Sequence, residues 1–220
     1  NIALPAFLGF INGDIIAGLL LGGLLRLVIN HHTTYLINSL AHMWGKQTYS
    51  NQVSARDNPL LALITFGEGY HNYHHTFQWD YRNGVKWWHF DPTKWIINLF
   101  SRVGLTYGLK RCSLEQIEKT KLDFQYHLAI QKCEQLNISN NWKEKLEVEY
   151  EQFLKTLQAW TDHRQAWYET KGKELKENLE KWDKLQLKSK YKEMHFRLKI
   201  QRTRWEFLIS NLPNQAPNPG

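Results

Sequence analysis

Charge is distributed along this chain so unevenly that its two halves cannot be built for the same solvent. Residues 1–112 hold 9 Lys/Arg and 5 Asp/Glu, whereas residues 113–220 hold 19 and 16. The first half is therefore membrane-like and the second soluble and highly charged. Each half is only slightly basic, so the net charge of +7 is spread thinly. That pattern argues against nucleic acid as a partner and in favour of contact with an anionic membrane face. A hydrophobic fraction of 42% excludes wholesale disorder, and two cysteines exclude a disulfide scaffold. The chain opens on Asn1 inside an apolar run, which leads us to expect the C-terminal part of a longer protein.

Residues 2–11 are apolar apart from Pro5, and Asn12-Gly13-Asp14 reads as a turn. Residues 15–25 form an uncharged apolar run that is too short on its own for the roughly 20 residues a bilayer demands. It reaches that length only by continuing through Arg26 towards Leu40, with its polar side chains facing protein or water; the other reading is a buried core helix. Residues 45–58 are loop-like. Pro59 suits the first turn of a helix expected over 60–73. Residues 79–92 are rich in Trp and Tyr, as at a membrane interface, and 95–105 read as an interfacial amphipathic helix. Ser113-Leu-Glu-Gln116 is a capping box ahead of a helix running to about Leu136. Residues 140–212 read as a long helical or coiled-coil extension. Leu146, Phe153, Trp160 and Trp167 recur every seventh position, with Tyr150 and Leu157 on the alternate seam. The rhythm slips near 171–173 and resumes with Leu175, Leu179, Trp182 and Leu185, and residues 213–220 read as a disordered tail. The domain reading is thus 1–111, 112–212 and 213–220.

Six of the first seven histidines fall in three groups: His31 and His32; His42; and His71, His74 and His75. Positions i, i+3 and i+4 share a helix face, so the last three project their imidazoles into one volume. Asn38 and His42, four apart, would do the same from another helix. Clustered imidazoles repel one another if protonated, and a cation explains why they are together. Nitrogen donors suit iron, zinc or copper better than magnesium or calcium. Five such residues exceed the four ligands of one structural zinc, and a bundle holding two metals draws ligands from several helices. Glu68, Asp57 and Asp80 are candidates to fix the imidazole tautomers from behind. His31 and His32 read as a polar helix end, and His127, His163 and His195 as surface residues.

Asn38-Ser-Leu-Ala-His42, Gly67-Glu-Gly-Tyr-His-Asn-Tyr-His-His75 and the following Thr76-Phe-Gln-Trp-Asp-Tyr81 closely resemble membrane acyl-CoA Δ9 desaturases of the stearoyl-CoA desaturase type. The likeness covers about residues 1–111. It implies an all-α, multi-pass membrane bundle of four helices with a cytosolic histidine-rich cap. It also implies two Fe2+ ions that use O2 and two electrons to place a cis double bond in a saturated acyl chain. By resemblance, His42, His71, His74 and His75 are metal ligands, and Asn38 reaches the metal through water. Tyr35 stands where animal members carry a Trp lining the substrate channel. The implied partners are a fatty acyl-CoA or acyl-lipid, O2, membrane lipid, and an electron donor such as cytochrome b5 or ferredoxin.

Two features depart from that pattern. Beyond the His71–His75 string, no spacing in this chain supplies the first two histidine boxes of the family, H-x4-H and a further H-x2-H-H. This chain alone is therefore expected to hold about half a site and to be catalytically incompetent. The charged extension lies outside the core enzyme and lacks the H-P-G-G signature of a fused haem domain; its aromatic seam suggests self-association or docking of a redox partner. Two rival readings remain: a membrane diiron hydroxylase, and a non-enzymatic, membrane-anchored helical adaptor.

Overall fold

The computed structural model describes residues 1–174 and 181–213, with side chains for 1–170 and 185–213. The heptad resumption at Leu175 and Leu179 and the tail reading from residue 214 onward lie outside the described residues, as does the side chain of Trp182. The described residues are helical without strands, and two compact units divide at Cys112 and Ser113.

In the first unit α1 (Ala3–Ile11) turns at Gly13, whose φ is +82°, into α2 (Ile15–Ala17). Asp14 caps that second helix by accepting the Ala17 amide at 2.9 Å. The helix then widens into a π-helical stretch, Gly18–Leu25, before returning to α geometry as α3 (Arg26–Asn38) and α4 (Leu40–Met43). Glycine is needed where α1 crosses: a Cβ on Gly18 would sit 2.5 Å from the Pro5 carbonyl oxygen. Ile15–Met43 is long and apolar enough to cross a membrane by length and composition, and it is the one such helix among the described residues. Arg26 does not leave its charge bare: Nε donates to the Gly22 carbonyl at 3.1 Å, and Nη2 donates to Asn1.

The helix expected over 60–73 is two helices. α5 (Pro59–Ile64) and α6 (His71–Thr76) are separated by a turn in which Phe66 and Gly67 have φ of 55° and 104°. The chain folds back so tightly that a Cβ on Gly69 would lie 2.2 Å from the Ala62 nitrogen. α7 (Pro92–Arg102) begins three residues before the expected start, because Asp91 accepts the Lys94 amide and Pro92 occupies the first turn. Its polar side faces inward, with Lys94 buried, while Trp95, Ile96, Leu99 and Phe100 are exposed.

The second unit is α8 (Leu114–Gln135), α9 (Asn140–Glu174) and α10 (Lys181–Ser210). Ser113 caps α8 by accepting the Gln116 amide at 3.1 Å. The expected seam is buried at Leu146, Phe153, Leu157 and Trp160, but it is closed from within the chain. α10 returns antiparallel along α9, which places Arg204 on Glu149 and His195 beside Trp160. Trp205 inserts between the three helices and donates to Gln125 at 3.0 Å.

Candidate metal centre

The site is built from two short helices and a loop clamped between them. α4 carries His42, and α6 carries His71, His74 and His75. Asn72, fully buried on α6, holds the intervening loop. Its Oδ1 accepts the amides of Thr48 and Tyr49 at 2.9 and 2.8 Å, and its Nδ2 donates to the carbonyls of Ser50 and Ala55 at 2.7 and 3.0 Å. Isolated bridges from Lys46 to Asp57 and from Asp57 to Tyr70 complete the clamp. Sequence spacings of up to 24 residues are thereby fixed against the histidine helix.

Three imidazoles converge. His71 Nε2 lies 3.1 Å from His42 Nε2 and 3.2 Å from His75 Nε2. One ligand nitrogen from each falls within 4.8 Å of the others. Nitrogens bound to one tetrahedral ion at about 2.0–2.1 Å stand roughly 3.3–3.4 Å apart, so the two separations at His71 fit a shared cation. A proton can bridge only one such pair at a time, and His71 Nε2 faces two partners. Burial, followed by neighbouring His75, His42 and His74, pulls His71 down to about 4; burial and then His74 and His42 lower His75 as well. His71 and His75 thus favour the neutral form, with a lone pair available. His42 has Nδ1 2.9 Å from Ser54 Oγ; the tautomer that donates there leaves Nε2 free to ligate. His71 Nδ1 is buried with no hydrogen-bond partner, and the Glu68 carbonyl lies close enough to favour its proton without reaching bonding geometry. An all-nitrogen triad of this kind fits iron, zinc or copper.

These residues lie in a stretch with clear relatives. Residues 1–109 match the fatty acid desaturase family. Over 111 residues, half of this chain, the sequence is 48% identical to acyl-CoA desaturase 1 of Saccharomyces cerevisiae, covering 22% of that protein. It is 46% identical over 113 residues (51% of the chain) to a probable acyl-CoA desaturase of Schizosaccharomyces pombe, covering 24% of it. Human stearoyl-CoA desaturase 5 is 43% identical over 101 residues, 46% of this chain and 31% of that protein. Residues 1–109 belong to the fatty acid desaturase family. The chain thus spans between a fifth and a third of the length of these relatives.

The remaining candidates of the desaturase segment lie around the triad, not in it. His74 stacks 6.1 Å from His71 and offers no nitrogen to the same point. Asn38 turns its amide back to donate to the Thr34 carbonyl at 3.1 Å, and Tyr35 is exposed beside His31 and His32. None of the three carboxylates forms a hydrogen bond to an imidazole. Glu68 accepts from Asn83 Nδ2 at 2.8 Å. Asp57 accepts the Tyr73 amide at 3.0 Å; burial raises it to about 6 against hydrogen bonds from Tyr73 and Thr48. Asp80 takes the Tyr73 hydroxyl at 2.7 Å and a two-pronged contact from Arg82. These groups brace the backbone that carries the histidines. Ser54 and Asn72 were not singled out from sequence: Asn72 was visible inside the H-N-Y-H-H string, whereas nothing local marks Ser54.

Proposed function

We propose that the protein works as an oxygen-dependent fatty-acyl desaturase that introduces a cis double bond, at the Δ9 position, into a saturated acyl chain carried by CoA or a lipid. The carrying observation is the convergence of His42, His71 and His75 inside a segment closely similar to acyl-CoA desaturases. His42, His71 and His75 would hold one Fe2+. His74, and Asn38 through water, would serve a second together with histidines from sequence beyond this chain. The chemistry that iron supplies is O2-dependent removal of two hydrogens from adjacent methylenes.

The protein's own part is positional. Ser54 sets the His42 ring, Asn72 fixes the loop over the site, and Asp57, Asp80 and Arg82 hold α6 in place. An apolar channel, with Tyr35 as a lining candidate, would select the carbon by length, since each buried CH2 is worth about 0.8 kcal/mol. Ile15–Met43 would supply one span of a multi-pass bundle, with the histidines at its cytosolic end. α7, polar within and aromatic without, suits the membrane interface. An electron donor such as cytochrome b5 or ferredoxin would complete the reaction.

The test is expression of the full-length gene in a desaturase-deficient yeast, with and without His71→Ala. Monoene formation by the parent and at least a hundredfold loss in the variant is expected, since removing one metal ligand empties or distorts the centre. Unchanged monoene yield would overturn the ligand assignment. An alcohol product in place of an alkene would instead assign hydroxylation.

A further inference from the structure

α10 has two apolar faces, and only one is used by the second unit. Leu198, Gln201 and Trp205 point into the three-helix core. On the opposite side Leu185, Phe196 and Phe207 recur every 11 residues, three turns apart, with Ile200 between the last two. They are 51%, 62%, 70% and 46% exposed respectively. Phe196, Ile200 and Phe207 cover about 17 Å of the helix at 1.5 Å per residue, with Leu185 a further three turns towards its N-terminus.

Its rim is basic. Lys188, Lys192 and Lys199 follow one edge at helical spacing, and all three are exposed. Arg197 and Arg204 lie along the other edge, paired with Glu193 and Glu149. Residues 185–210 contain seven Lys/Arg and two Asp/Glu, a concentration of positive charge that the rest of the second unit does not share. Two copies meeting on this face would bring those charges together, which disfavours self-pairing. An apolar stripe bordered by lysines instead matches the two layers of an anionic bilayer surface, acyl chains below and headgroups above. The same chain carries a helix able to cross a membrane, so lipid is at hand.

We infer that the outer face of α10 docks on an anionic lipid surface, with Phe196, Ile200 and Phe207 entering the headgroup boundary and the flanking lysines binding lipid phosphate and carboxylate groups. This does not rest on the desaturase reading; it rests on the surface of α10.

The experiment places a nitroxide on Phe196→Cys or Ile200→Cys in the full chain, with the chain lacking the new cysteine labelled in parallel as background. The proteins are reconstituted in phosphatidylcholine vesicles with or without phosphatidylserine. The expected result is a label more accessible to O2 than to a water-soluble nickel complex when phosphatidylserine is present, and aqueous without it. Lys188→Glu, Lys192→Glu and Lys199→Glu together should reduce the docked-to-undocked ratio at least a hundredfold, at about fivefold per lysine. Unchanged far-UV circular dichroism would show that the helices persist, since all these side chains are exposed. A label that stays aqueous in both lipids overturns the inference. So does equal immersion in both, or dipolar broadening between labels on separate chains, which would assign the face to a second copy.

Discussion

At the residue scale the site depends on groups that hydrogen-bond across the loop, foremost Asn72. Its side chain satisfies two part-buried amides and two carbonyls. Replacing it with Ala leaves those groups without partners, each costing about 1–3 kcal/mol. Asn72→Ala is therefore expected to destabilise the first unit by more than about 3 kcal/mol and to scatter the triad; thermal unfolding and metal retention would both fall. A variant that melts like the parent would show that the clamp does not matter. His89 supplies a pH-dependent test. It stacks on Tyr70 with ring centres 4.4 Å apart, and its Nδ1 is buried without a partner. Burial, then Lys86 and Lys94, pulls it from 6.5 to about 4. The folded state thus refuses a proton that the unfolded chain accepts. Its contribution is fully present above pH 6.5 and is lost as pH falls from there towards 4. His89→Phe keeps the stack and removes the titration, so acid acceleration of hydrogen exchange at the Asn83 and Gly84 amides should be smaller than in the parent. Equal acceleration in both proteins would rule this out. The histidine grouping was readable from spacing alone. The Ser54 contact was not, because it joins residues 12 apart through an aperiodic loop.

Elements were legible where a single periodicity governed them. The seam at Leu146, Phe153 and Trp160 announced α9, and the Ser113 cap announced α8. The break between α5 and α6 was hidden, because 60–73 keeps enough apolar residues to pass for one helix. Only Gly67 and Gly69 hinted that the chain must reverse, and their effect depends on how closely it approaches Ala62 and Asp91. The direction of the long helices was equally invisible: a heptad says that a helix needs a partner but not that α10 of the same chain provides it. Trp205 tests that arrangement. It is fully buried, and its ring closes the core among α8, α9 and α10. Trp205→Ala should cost about 3–5 kcal/mol, read by thermal loss of far-UV dichroism. Phe207→Ala, two residues on but exposed, should stay within about 0.5 kcal/mol. Similar losses in the two variants would mean that α10 is packed differently.

At the scale of the molecule, the fall in charge density in the first half and the division of the chain at Cys112 and Ser113 coincide, so composition alone separates two kinds of surface. What composition cannot show is how much of a metal centre one chain contains. Among the described residues, His42, His71 and His75 are the set that converges, while His74 and Asn38 are turned elsewhere. Three nitrogens leave coordination positions open and bind less tightly than a closed set of four. Cobalt(II) can stand in for iron because its visible bands report nitrogen coordination. Titration of the reconstituted chain should therefore saturate at one ion per chain. His71→Ala should abolish the bands, whereas His74→Ala and Asn38→Ala should retain them. Two ions per chain, or loss of binding on changing His74, would show that the histidine helix rearranges around metal. One ion here and two in a protein of the relatives' full length would assign the missing ligands to sequence outside this chain.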